Sequence, residues 1–128
     1  MTRTTSESEF WRAMDRLIAD SEIVIERVKG SRHPEHPQII YPLDYGCLKG
    51  TISSDGEEID LFLGSDPARR LSGAFVTVDL QKRDCEIKLL IGCTDDEIRT
   101  VDEIRTVDHF FNDYASMKGL LLLRKEET

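Results

Sequence analysis

The chain has 128 residues, 39% hydrophobic and 33% charged, with 25 Asp and Glu against 17 Lys and Arg for a formal net charge of −8. That length suits one domain around one core and excludes a two-lobed enzyme; the composition excludes disorder, and no apolar run approaches the ~20 residues of a bilayer crossing. The acidic balance argues against nucleic acid, which needs a basic stripe. MTRTTSESEFWR has no signal-peptide core, and Cys47, Cys85 and Cys93 are an odd set without CxxC spacing, so a reducing cytoplasm is the expected setting, without a disulfide framework, a zinc site or a membrane anchor.

In chain order, residues 6–21 predict an amphipathic helix. Phe10, Met14, Leu17 and Ile18 share one stripe, with Ser6 and Glu9 as a capping box. EIVIERV (22–28) alternates as a strand with a wet side, KGSRHPEHP reads as a loop, and residues 41–57 read as ordered irregular backbone. Three further strands are expected at 59–64, 73–80 and 85–92, the last two joined by the turn QKRD. Thr94 then caps a helical run from Asp95 to about Tyr114, and KGLLLLRK is either a last strand or the end of that helix. Within the run DEIRTV occurs twice, at 96–101 and 102–107. A six-residue period fits neither 3.6 nor 7, so a kink or an overhang is expected, and the duplication need have no function. Five or six strands with helices at both ends and no alternating βα units make an α+β domain on an antiparallel sheet or small barrel.

The densest polar constellation is DGEEID at 55–60, where Asp60 and Glu58 are expected on the face opposite Ile59, Leu61 and Leu63. Carboxylates that converge repel unless a hard cation joins them, and Mg²⁺ accepts one or two carboxylates while keeping waters. Spacing alone favours an acidic turn in solvent, since the EF-hand ligand pattern and a neighbouring His are missing. Asp79, Asp84 and Glu86 border the next hairpin, with Lys88 on the same face as Glu86; with DGEEID they would form a carboxylate ring, and alone Asp79 and Asp84 are ordinary turn residues. His33, His36 and His109 have no nucleophile partner at recognisable spacing, and the cysteines read as small buried hydrophobes.

The order of these motifs resembles that of the soluble family I inorganic pyrophosphatases. The likeness starts at VIERVKGSR (24–32), is closest at YPLDYGCLKGTISSDGEEID (41–60), and runs through VDLQKRDCEIKLL (78–90) to HFFNDY (109–114). It implies a single domain over 1–128, an α+β fold on a small OB-like five-stranded antiparallel β-barrel flanked by helices, and Mg²⁺-dependent hydrolysis of pyrophosphate, with Mn²⁺ as an alternative metal. By position it implies metal ligands at Asp55, Asp60, Asp79 and Asp84, with Glu86 competing for the last slot. Glu57 takes the place of the aspartate that helps activate the attacking water. Glu26 matches a first-strand glutamate, Tyr45 a tyrosine near the nucleophile, Lys88 a lysine beyond the acidic pair, and Tyr114 a phosphate-binding tyrosine. The family's phosphate-gripping hairpin has no room between Glu26 and Tyr41; Pro34 stands at its lysine's place and Ala115 replaces another lysine. Weak turnover is therefore expected, with Lys29, Arg32, Lys49 and Lys118 as substitute cations. A noncatalytic metal or metabolite module and a hydrolase of another phosphoanhydride are the alternatives, and the resemblance leaves a homo-oligomer open.

Overall fold

The computed structural model describes residues 6–99, 106–112 and 117–124. Helix α1 (Glu7–Ala19) begins where Ser6 takes an extended backbone and its hydroxyl accepts the Glu9 N–H at 3.1 Å, satisfying one of the free donors of the first turn. Its buried anchor is Trp11, whereas Phe10 of the expected stripe is 42% exposed. The inward stripe is rotated to Trp11, Met14 and Ile18, which pack on one face of the sheet.

Six strands follow: β1 (Glu22–Arg27), β2 (Asp44–Lys49), β3 (Ile59–Leu63), β4 (Leu71–Asp79), β5 (Asp84–Ile91) and β6 (Met117–Leu123). They form one sheet in the order β1-β2-β3-β5-β4-β6, with β3 and β5 parallel and every other pair antiparallel. The expected closed, five-stranded antiparallel barrel is thus replaced by an open, mixed sheet with β1 and β6 at its edges. Period-two alternation specifies which side chains share a face and leaves open which strand lies alongside. Here the β4–β5 hairpin docks through β5 onto β3, and KGLLLL, which the sequence left between helix and strand, extends the sheet beyond β4.

Both faces are covered. Leu48, Leu61, Leu89 and Ile91 lie on the α1 side, and Leu43, Phe62, Phe75 and Leu90 on the other. Consecutive Leu61 and Phe62 are therefore both 0% exposed, and the face that Asp60 shares with Phe62 carries core of its own. At the β1 edge, β1 and β2 approach so closely that a Cβ on Gly46 would collide with the Val24 carbonyl. Just beyond, the ladder skips Glu26, pairing Ile25 with Gly46 and Arg27 with Tyr45. Such a bulge re-aims side chains.

The single helical run expected from Asp95 is broken. Helix α2 (Asp95–Ile98), closed by a Thr94–Glu97 capping box, stops at Arg99, whose φ of −107° and ψ of 141° are extended. A second helix, α3, spans Val107–Asn112. The two DEIRTV copies bury different positions: the first contributes Ile98 (1% exposed), the second Thr106 (1%) and Val107 (0%). Residues 100–105 of the repeat lie outside the described residues.

Candidate active site

The sheet registers Asp60 beside Lys88, Phe75 beside Lys88, Thr77 beside Glu86 and Asp79 beside Asp84. Tyr45, next to Phe62 on β2, joins the same face. The Lys88 ammonium donates to Asp60 Oδ2 at 2.6 Å, Glu86 Oε2 at 2.9 Å and the Tyr45 hydroxyl at 3.3 Å. An ammonium has three donors, and all three are used inside the protein. Burial works against the Lys88 charge, but Tyr45, Asp60 and Glu86 outweigh it and hold the pKa above its usual value. Tyr45 is pushed up chiefly by burial, Lys88 opposing.

Asp55 reaches this cluster from the turn before β3. The turn closes through Ser53 N–H to the Glu57 carbonyl at 2.7 Å and Glu57 N–H to Asp55 Oδ1 at 2.9 Å, and Gly56 supplies the φ of +84° that L side chains resist. The Asp55 carboxylate is hydrogen-bonded to Glu86, which lowers its pKa, while burial and then Asp55 raise that of Glu86. The two shifts run in opposite directions, as expected when two carboxyl groups meet without a cation.

The rest of the acidic set is dispersed. Asp79 is 7% exposed, and its Oδ1 accepts the N–H groups of Gln81 and Lys82 at 3.0 and 3.1 Å, capping the β4–β5 turn; Asp84 lines the cleft beside it. Glu58, expected to share the site with Asp60, turns to the Gly50 N–H and to the Cys47 thiol instead. Glu26 also hydrogen-bonds Cys47, so Glu26 and Glu58 belong to a neighbouring cluster. The Glu57 side chain is exposed and is not among the groups lining the cleft. Among the described residues no three His, Cys, Asp or Glu side chains stand close enough together to hold a metal ion.

Above the cluster opens a cleft of about 650 Å³. Its roof is the 28–40 loop, whose His33 Nδ1 accepts the N–H groups of Glu35 and His36 at 3.1 and 3.2 Å. That fixes the neutral tautomer with the proton on Nε2, and burial lowers the His33 pKa below 6.5. Arg27, released by the bulge, hydrogen-bonds the Tyr41 hydroxyl and stands 6.0 Å from the ring centroid. Lys29, Arg32 and Lys118 do not line the cleft: Lys29 is exposed, the Arg32 guanidinium is tied to the Pro37 carbonyl at 2.8 Å, and Lys118 sits at the register position of Val78, on the opposite face from Asp79. Lys49, at the far end of β2, forms an exposed pair with Glu22 at 3.8 Å. The cations that do line the cleft are Arg27, Lys82 and Lys88, with His33 and His36. Sequence reasoning missed Arg27 because nothing in EIVIERV announces a bulge; Lys82 was readable, since it follows Asp79 by three residues in the turn. Tyr114 lies outside the described residues. Cys47 and Cys93 are buried as expected, but Cys85 is exposed.

Among solved structures the chain is similar to the inorganic pyrophosphatase of the pathogenic bacterium Helicobacter pylori, with 22% identity, 83% of this chain and 86% of that chain covered, and a TM-score of 0.54. It is also similar to the inorganic pyrophosphatase of Thermus thermophilus, with 20% identity, 80% and 81% covered, and a TM-score of 0.53. No family model matches the chain, and no curated protein sequence does. At these identities the likeness establishes a shared α+β, pyrophosphatase-like fold. No described helix is long and apolar enough to cross a membrane.

Proposed function

We propose that this domain is a divalent-cation-dependent hydrolase of small phosphoanhydrides, with pyrophosphate as the simplest substrate and Mg²⁺ or Mn²⁺ as the metal. The observation that carries the reading is the convergence of Tyr45, Asp60, Glu86 and Lys88 from three strands, with Asp55 on Glu86, below a cleft lined by Arg27 and Lys82. The donor set is all oxygen, which suits a hard cation, and two carboxyl groups that face each other are a pair a cation can relieve. Two carboxylates are enough for Mg²⁺ when waters and phosphate oxygens complete its shell.

Asp55 and Glu86 would hold the cation, with waters and phosphate oxygens completing its shell. When bound, it supplies positive charge to the phosphoryl oxygens and lowers the pKa of water. Lys88 keeps Asp60, Glu86 and Tyr45 in one geometry, and its own ammonium is committed to them rather than to substrate. Arg27 and Lys82 neutralise phosphate charge from the cleft walls. The role of accepting the proton of the attacking water, which the resemblance gave to Glu57, has no candidate in the cleft at that position, because the Glu57 side chain points to solvent outside it. With so few cations in the cleft, turnover should be weak.

Phosphate release from pyrophosphate with Mg²⁺ is the test. Release that falls with Glu86→Gln supports the hydrolase; Mg²⁺ binding without release assigns the fold to a noncatalytic module; neither binding nor release sinks both.

A further inference from the structure

The cleft is much larger than a pyrophosphate ion. Its volume of about 650 Å³ falls in the range of roughly 300–1,000 Å³ that holds drug-sized ligands. Its lining combines charged groups, Lys88, Glu86, Asp84 and Lys82, with an aromatic wall of Tyr41, Tyr45 and Phe110, which Tyr45 joins to Lys88 at 3.3 Å; Met117, beside Asp79, and Ile39 complete it. Tyr45, Phe110 and Met117 are only half-buried, so part of their surface is left to the cleft.

We propose that the substrate this cleft prefers is a phosphoanhydride carrying a flat aromatic group, of the nucleoside diphosphate class, and that bare pyrophosphate is the poorer fit. The inference rests on the hydrolase reading above and adds the substrate class. The diphosphate lies over the carboxylates and cations, and the base lies against the adjoining aromatic wall. That wall is preorganised: Tyr41 packs against Tyr45 with centroids 5.2 Å apart and against Phe110 at 5.1 Å, and Phe110 meets Phe62 edge-on at 5.4 Å. A ring stacking there loses little entropy from the protein side. His33, held as the Nε2–H tautomer by the loop's own N–H groups, presents a donor to ribose or base oxygens. A bare pyrophosphate leaves the apolar wall wet and makes no use of it. In the reaction a water oxygen bonds to the β-phosphorus and the bridging P–O bond breaks. Its electron pair stays on the α-phosphate, giving nucleoside monophosphate, inorganic phosphate and a proton.

The wild-type protein with Mg²⁺ is assayed for phosphate release from ADP and from pyrophosphate, and Phe110→Ala is assayed in parallel. ADP should show a kcat/KM about tenfold or more above that of pyrophosphate, the size of one good stacking contact, and Phe110→Ala should lower the ADP to pyrophosphate ratio by a similar factor. Should Phe110→Ala fail to fold, Met117→Ala and wild-type calorimetry with AMP against inorganic phosphate replace it, with AMP expected to bind tighter. Pyrophosphate cleaved as well as or better than ADP overturns the inference and leaves the hydrolase reading intact. Cleavage of neither defeats the hydrolase reading, and calorimetry then decides the ligand class: ADP bound tighter than pyrophosphate retains it, and equal or absent binding overturns it.

Discussion

Lys88 Nζ lies 2.6 Å from Asp60 Oδ2 across β3 and β5, the one parallel pair among the described strands. The lysine side chain is 10% exposed and the aspartate 30%, so water screens the contact from one side only. Breaking such a pair leaves carboxylates without their counter-charge. Lys88→Met is expected to destabilise the fold by about 1–3 kcal/mol, since Asp60, Glu86 and Tyr45 lose one donor together. Urea unfolding checks it. The double variant with Asp60→Asn should cost less than the sum of the singles, and strict additivity would mean that the pair is not formed.

Mg²⁺ binding should depend on Glu86 and not on Glu58. Glu86→Gln removes one of the two carboxylates that face each other, and calorimetry should show Mg²⁺ affinity reduced by about tenfold or more. Glu58→Gln should bind Mg²⁺ like the wild type, because that carboxylate is turned toward Gly50 and Cys47.

Phosphate contacts should come from the cations that line the cleft. A charge-assisted contact is worth about 1.5–3 kcal/mol, or roughly 10- to 100-fold in kcat/KM. Arg27→Ala and Lys82→Ala are each expected to lower pyrophosphate kcat/KM by that order, mainly through KM. Lys29→Ala and Arg32→Ala should leave it nearly unchanged, and steady-state kinetics on the four variants decides the matter.

Only one thiol should react in the folded protein. Burial, with Glu26 and Glu58 beside it, pushes Cys47 up to about 12, and burial with Glu97 nearby does the same for Cys93, both from an ordinary 9.0. Thiolate is the reactive form, so alkylation near pH 8 should label Cys85 alone until the chain unfolds. The raised values also set a sign. Stability from these neutral thiols is fully present below pH 9 and is lost as pH rises toward 12, because the unfolded chain releases those protons first. Cys47→Ala should flatten that alkaline fall in melting temperature.

Removing one DEIRTV copy should be tolerated. Deleting residues 102–107 joins Val101 to Asp108, so Thr100 and Val101 arrive at the places of the buried Thr106 and Val107 with identical side chains. A melting temperature within about 4 °C of the wild type is expected, equivalent to roughly 1 kcal/mol in a domain of this size. Val107→Asp, which puts a charge into the same buried place, should cost far more. A fall of tens of degrees on deletion would show that the second copy is packed in a way the first cannot reproduce.

The sequence by itself determined α1, four of the strands and part of the site, while β2 (Asp44–Lys49) lies in a stretch that read as irregular. The Ser6 cap of α1, the alternating strands, the QKRD hairpin and the placing of Glu86 and Lys88 on one face all follow from local periodicity and turn chemistry, which act over a few residues. Tertiary structure decided what depends on residues far apart in the chain. It placed β5 beside β3, opening the barrel into a mixed sheet; it turned Glu58 away to Gly50; and it swung Arg27 through a bulge into the cleft. Those outcomes differ by which strand neighbours which and by one skipped residue in a ladder. Side-chain alternation is blind to both, because it records the face on which a residue lies and not the partner it meets there.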